Sequence, residues 1–302
     1  MTRTEYLRKI LELQTLDPAG NEIADINKRA REVEAVLNRE FPASDKTIRY
    51  AGSFAKGTMI REAYDLDLIC YLGNEDTSAG DTLADIFVGV RNALEKAYRV
   101  APKTSALRIR SAEKDSLDLD FHIDVVPGRY TGPERSDAFL HITTREKERL
   151  KTNLDTHVSH IRSSGFLDEI RLMKLWNVTT GLYLKTFVLE LFTIKQLQDP
   201  AAPADLAERL AYLWVYLRDH ADSFAVEDPA NPAGNDLSEY LDAQVRGRVK
   251  KVATGTLKTI AEKGWGAVFG PVETQTQARK VAAVVTAARS LPTSARPWCK
   301  VK

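Results

Sequence analysis

The run DLDLICYL at residues 65–72 restricts the fold of this chain more than any other stretch. Side chains along an extended strand alternate between faces, so residues two apart project together. Leu66, Leu68 and Cys70 therefore share an apolar face, and Asp65 and Asp67 share the other. Two carboxylates held side by side repel and resist joint ionisation unless water or a cation lies between them. A short buried strand that offers a cation-binding pair satisfies both faces.

The segment LDLDFHIDVVPG, residues 117–128, repeats the alternation. Leu117, Leu119, Phe121, Ile123 and Val125 form its apolar face, with Asp118, Asp120, His122 and Asp124 opposite. Residues 107–110 (LRIR) and the polar turn AEKDS precede it, which predicts a hairpin. This strand is expected over residues 117–126, with Asp124 late in it and Pro127 ending it. Further strands are expected over 47–50, 66–72 and 107–110, with a helix over about 83–98. Over residues 21–41, Ile23, Ile26, Ala30, Val33, Val36 and Leu37 recur at spacings of three and four, an amphipathic helix that Pro42 stops. A mixed sheet with helices results.

Beyond Asp137 the pattern becomes mainly helical, around residues 167–177, 187–198, 206–218, 237–263 and 275–290. DPAAPAD at 199–205 and EDPANPAGND at 227–236 supply the breaks. The expected class is α+β, with a sheet-bearing core and N-terminal helix over 1–150 and a helical lobe over 151–302.

Function classes narrow with the charge. Lys and Arg number 43 against 42 Asp and Glu, a net charge of +1, so the strong positive field of a protein that holds long nucleic acid is not expected. From residue 243 to 302, however, twelve Lys or Arg face two acids, Glu262 and Glu273. That stretch reads either as a local basic surface or as a solvated helix face balanced elsewhere. Cys70 and Cys299 are the only cysteines and lie far apart, which argues against a disulfide framework or a zinc site and for a reducing cytoplasm. MTRTEYLRKILELQ at the start lacks a signal-peptide pattern, and no run of eighteen uncharged apolar residues occurs, so neither export nor membrane insertion is expected.

Taken singly, each Asp reads as part of a solvated strand face. Their order is more specific: Gly52-Ser53, then Asp65-x-Asp67 on a strand, then a lone Asp124 beside Val-Val-Pro. In this the sequence resembles the DNA polymerase β-like nucleotidyltransferases. The resemblance implies a polymerase β-like core in which Asp65, Asp67 and Asp124 hold two hard cations, Mg²⁺, that bridge to a nucleoside triphosphate. One cation activates an attacking hydroxyl and the other stabilises the transferring phosphorus and leaving pyrophosphate. Asp124 completes the first of these sites and is also a candidate base. Ser53 donates its hydroxyl to the donor phosphates, and Gly52 lets the backbone approach them. Lys56, with Thr58 in the same GSFAKGT turn, is either a further phosphate contact or a solvated surface lysine.

In the second half, RLMKLWN (171–177), TFVLELFT (186–193), VEDPANPAGND (226–236) and GWGAVFG (264–270) resemble the branch that includes 2′-5′ oligoadenylate synthetases, animal cyclic GMP-AMP synthase and bacterial DncV-like enzymes. The bacterial CD-NTases match best. By position, the resemblance implies that Lys174 reaches the donor triphosphate, against the alternative that it lies on the wet side of its helix. Thr186 stands where these enzymes carry Ser or, in some pyrimidine users, Asn, and keeps a hydroxyl that suits a purine acceptor. Glu190 and Trp176 read as packing and helix-ordering residues, Asp228 as a loop-fixing residue, and His122 as a strand histidine bonded to its neighbours. The animal enzyme's zinc insertion is missing.

The resemblance thus implies a cyclic dinucleotide synthase that joins two NTPs, ATP and GTP first, to cyclic GMP-AMP with release of pyrophosphate. It implies a place in bacterial antiphage (CBASS) defence, beside regulatory or effector proteins and without stable nucleic-acid or membrane partners. A template-independent polymerase making linear oligonucleotides or extending RNA ends is the alternative. A non-catalytic nucleotide-binding protein on the same scaffold is a third reading, against which all three acidic positions speak.

Overall fold

The computed structural model describes residues 1–63, 65–111, 122–143 and 149–272. The alternation in residues 66–72 becomes strand β2 (Leu66–Leu72). Leu66, Leu68, Cys70 and Leu72 enter one apolar core, while Ile69 and Tyr71 enter another on the opposite face. Burial on both faces puts β2 inside the sheet. β1 (Lys46–Tyr50) lies antiparallel on one side of it, and β5 (Ile123–Tyr130) lies parallel on the other. The first part of β5 pairs with β4 (Leu107–Ser111), which pairs with β3 (Tyr98–Pro102). Its second part pairs with β6 (Ala138–His141), which pairs with β7 (Arg149–Thr152). The mixed sheet and the antiparallel pairing of 107–109 with 123–125 are as expected from the sequence.

β5 departs from the expected strand in one respect. It continues through Pro127 to Tyr130, so Asp124 stands near its start. Proline cannot donate to a ladder. Pro127 falls between the residues that pair with β4 and those that pair with β6, where no antiparallel partner needs its N–H. Leu117, Asp118, Leu119, Asp120 and Phe121 lie outside the described residues.

Helix α2 (Asn21–Glu40) and helix α4 (Leu83–Glu95) cover the face of the sheet that carries Leu66 and Leu68. The helix expected to reach residue 98 ends at Glu95, because Tyr98, Arg99 and Val100 pair with β4 instead. The other lobe is helical: α5 (Leu154–Arg162), α6 (Leu167–Thr179), α7 (Thr186–Leu197), α8 (Leu206–His220), α9 (Ala243–Lys263) and the short α10 (Gly266–Phe269). Trp176 and Trp214, both fully buried, lie 6.0 Å apart at its centre, and the Trp176 indole donates to Thr256 Oγ1 at 2.8 Å. Trp176 is thus a packing residue. The expected helix over 237–263 is broken into a 3-10 turn (Leu237–Tyr240) and α9, which Asp242 caps by accepting from the Val245 N–H at 2.7 Å. The helix expected at 275–290 lies outside the described residues.

The helical core draws on both ends of the described chain. α1 (Arg3–Gln14), begun by a Thr2–Glu5 capping box, sends Tyr6, Leu7, Ile10 and Leu11 into the helical core. The Tyr6 hydroxyl donates to the Gly270 carbonyl at 2.6 Å, so the N-terminal helix belongs by packing to the far end of the described chain. Among the described residues no helix is long and apolar enough to cross a membrane.

Candidate active site

The parallel register of β2 and β5 sets Asp67 directly beside Asp124, and Asp65 immediately precedes β2. The three acids singled out in the sequence thus come to one end of two adjacent strands. Over them lies α3 (Gly52–Lys56), a single helical turn entered from β1. Gly52 has φ +53°, and a Cβ there would fall 1.6 Å from Asp67 Oδ2. Glycine is required by this close approach of backbone to carboxylate as well as by the left-handed φ. The Ala51 N–H donates to the Asp67 carbonyl at 2.8 Å and ties the turn to the strand. Ser53 is the second residue of α3, and its carbonyl accepts from the Thr58 N–H at 2.9 Å.

The three carboxylates have different surroundings. Burial, and then the neighbouring charges of Asp124 and Asp65, push Asp67 up to about 6 against the opposing pull of Lys56 and Lys174. Burial acts on Asp124 in the same sense, but hydrogen bonds from Arg108 and Lys103 outweigh it and hold its carboxyl below the ordinary range. Arg108 Nε donates to Oδ1 at 2.9 Å and Nη2 to Oδ2 at 2.9 Å, while Lys103 Nζ donates to Oδ2 at 3.0 Å. Asp65 Oδ2 lies 2.9 Å from His122 Nε2 and 3.7 Å from Arg108 Nη2. As the side chains stand, no three acidic, His or Cys groups among the described residues converge closely enough to hold one ion. The donor set nevertheless suits hard cations: carboxylate oxygens from adjoining strands, with surplus negative charge at Asp67 that a cation would relieve.

Behind α3 lies a buried ionic cluster. Glu190, on α7 and fully buried, accepts from Lys56 Nζ at 2.5 Å and from the Thr58 hydroxyl at 2.7 Å. Lys174, on α6, stands 4.0 Å from Glu190 Oε1 and donates to the Thr58 carbonyl at 2.7 Å. The wet-face alternative for Lys174 does not hold: it is buried under the residues that follow α3, where burial pushes it down to about 8 against the pull of Glu190 and Asp67. Glu190 does more than pack: it pins Lys56 and Thr58, and the Lys56 and Lys174 ammonium groups, with the hydrogen bonds from Lys56 and Thr58, keep its carboxyl below the ordinary range despite burial. Lys56 is not a solvated surface lysine either, since it is buried and its Nζ lies 5.3 Å from the Phe187 ring centroid.

Two adjoining cavities open beside these groups. The smaller, about 240 Å³, is lined by Gly52, Lys56 and Asp67 with Thr152, His157 and Phe187. Those last three also line the larger, about 800 Å³, together with Lys185, Asp228 and Tyr240. Asp228 acts as expected of a loop-fixing residue: it accepts from the Ala230 N–H at 2.8 Å and from Asn235 Nδ2 at 2.6 Å, and lies 2.6 Å from His157 Nε2. At the start of α7, Lys185 and Phe187 line the larger cavity and Phe187 the smaller, with Thr186 half-buried between them in sequence. His157, Lys185, Phe187, Lys103 and Arg108 stand at the site without being among the residues expected there from the sequence. Arg108 had a signal, since alternation in LRIR sets it opposite the apolar Leu107 and Ile109, as the aspartates are set on their strands.

No protein-family model matches the chain. A curated relative, the cyclic AMP-AMP-AMP synthase of Escherichia coli (strain MS 115-1), is 26% identical over 233 residues, covering 70% of this chain and 70% of that protein. Among solved structures, E. coli MS115-1 CdnC in complex with HORMA-deltaN superposes with a TM-score of 0.67 at 19% identity, covering 90% of this chain and 98% of that one. Vibrio cholerae DncV cyclic AMP-GMP synthase, in complex with nonhydrolyzable GTP, superposes with a TM-score of 0.61 at 17% identity, covering 90% and 87%. The α+β class with a polymerase β-like core, expected from the sequence, is the fold these structures share.

Proposed function

We propose that this chain is a bacterial cGAS/DncV-like nucleotidyltransferase that joins purine nucleoside triphosphates into a cyclic oligonucleotide with release of pyrophosphate. The observation that carries this reading is the register of β2 and β5, which sets Asp67 against Asp124 beside two adjoining cavities. On this reading Asp65, Asp67 and Asp124 hold the divalent cations, two Mg²⁺ ions. Bound there, such cations neutralise the triphosphate and lower the pKa of the attacking hydroxyl. Gly52 leaves room for Asp67 to face the incoming nucleotide, and Ser53 donates its hydroxyl to the donor phosphates. Lys56 adds positive charge to the wall of the smaller cavity, and Lys174 supports the turn from behind through Thr58. Phe187 and Tyr240 offer aromatic surfaces to the bases in the larger cavity, and Thr186, next to Phe187 at the start of α7, offers its hydroxyl to an acceptor purine.

The base choice leans on the relative, whose name gives a ring of three adenylates. We therefore favour ATP as substrate and a cyclic adenylate as product, with cyclic GMP-AMP, the expectation from the sequence, as the second outcome. A signalling role in antiphage defence, under the control of a partner protein in the cytoplasm, accords with the HORMA-deltaN complex of the E. coli neighbour. The test incubates the protein with each labelled NTP and Mg²⁺, then with phosphatase. A resistant product whose mass matches a ring supports the reading. A ladder of phosphatase-sensitive chains favours the template-independent polymerase instead.

A further inference from the structure

Asp124 accepts three N–H bonds, two from Arg108 and one from Lys103. Arg108 Nη2 also stands 3.7 Å from Asp65 Oδ2, so the guanidinium lies between two of the carboxylates. The two basic residues are anchored differently. Arg108 is the cross-strand partner of Asp124 in the β4–β5 ladder, and its planar fork engages both carboxylate oxygens. Its withdrawal would break two charge-assisted bonds at once. Lys103 follows β3 in a short turn closed by its own N–H on the Ala106 carbonyl at 2.8 Å, and its side chain is 42% exposed. A point charge on a flexible, half-solvated stem can swing away without cost to the ladder.

We propose that Lys103 is a displaceable counter-ion of Asp124, yielding its place when a divalent cation arrives with a nucleotide, while Arg108 remains as the residue that positions the carboxylate. This rests on the reading of the three acids as the ion site. Displacement is an exchange of partners: the ammonium leaves a carboxylate and is left next to the incoming triphosphate, so neither charge is stranded. In the absence of nucleotide, Lys103 has no such second partner and competes with the cation for Asp124 Oδ2. The site therefore favours a cation that comes with its triphosphate over the bare ion.

The experiment is Mn²⁺ binding to the nucleotide-free protein, followed by electron paramagnetic resonance, for the wild type, Lys103→Ala, Lys103→Arg and Asp67→Asn, each checked by its melting curve. Removing one like charge at hydrogen-bond range is expected to tighten Mn²⁺ binding by Lys103→Ala about ten-fold. Lys103→Arg should bind as the wild type does, and Asp67→Asn should lose the site. Mn²⁺ bound by Lys103→Ala no more tightly than by the wild type, with binding still dependent on Asp67, overturns the counter-ion role and leaves the site reading standing. Undiminished binding by Asp67→Asn overturns the site reading, and the counter-ion role with it.

Discussion

At the scale of the residue, Asp67 is held where its charge is unwelcome. A carboxyl whose folded pKa is raised from 3.8 to about 6 keeps its proton longer in the folded chain than in the unfolded one. Stability therefore falls as pH rises from the first value to the second, and the whole penalty is present at pH 7. Its size is on the order of 2 to 3 kcal/mol. Asp67→Asn, which mimics the protonated form, is predicted to stabilise the metal-free protein by roughly that amount near pH 7. The gain should shrink as pH is lowered through about 6 and vanish below the ordinary carboxylate range. Urea unfolding across that range measures it, and a variant less stable than the wild type at pH 7 would contradict the raised pKa. Asp65→Asn combined with Asp67→Asn should leave a folded protein that no longer releases pyrophosphate, because amides do not replace carboxylates on hard cations. Activity near the wild-type level in that double variant would refute the site assignment. Gly52→Ala forces a Cβ into Asp67 Oδ2 at a left-handed φ, so it should lower pyrophosphate release by at least about 100-fold, the scale of a misplaced site group. Release unchanged by this substitution would mean that Asp67 is free to move aside.

At the scale of the element, α3 is a single turn whose position depends on what grips it. The buried Glu190 holds Lys56 and Thr58 from α7, and Lys174 holds the Thr58 carbonyl from α6. Removing one partner of a buried ion pair strands the other, so Glu190→Ala is predicted to cost about 3 kcal/mol or more in chemical unfolding. A loss below about 1 kcal/mol, the scale of an exposed pair, would show that the cluster is solvated and does not hold the turn. The same elements show what was legible in the sequence. β2 and α6 to α8 followed from strong periodicity, and β2 occupies residues 66–72 as the alternation predicts. β6 and β7, four residues each, are too short to display a period and exist through their pairing with β5 and with each other. α1 and α5 fall outside the helices expected from the sequence, although Thr2 and Asn153 cap them with side-chain acceptors. The three acids were legible because alternation and order place them together. The burial of Lys174 is not legible in helical periodicity, which shows which side of a helix is apolar but not that a Thr58 carbonyl from the other lobe meets its ammonium. Lys103 and His157 reach the site through a turn and a helix that only the tertiary arrangement brings there.

At the scale of the whole molecule, two apolar cores flank the acids: one between the sheet and α2 and α4, the other within the helical lobe that α1 completes. Residues of both lobes line the cavities, with Asp67 and Gly52 from the sheet side and His157 and Phe187 from the helical side. A site shared between lobes suits a reaction in which a short chain is built and then turned to present its own triphosphate. The chain's net charge of +1 is consistent with small substrates rather than long nucleic acid. Ring closure itself is tested most directly by the ratio of pyrophosphate released to nucleotide incorporated, with purified protein, ATP and Mg²⁺. A cyclic product requires equal amounts, because every triphosphate is spent in forming a bond, and that equality is the predicted result. A ratio persistently below unity, with a triphosphate still on the product, would show that the chain stays open and contradict the account.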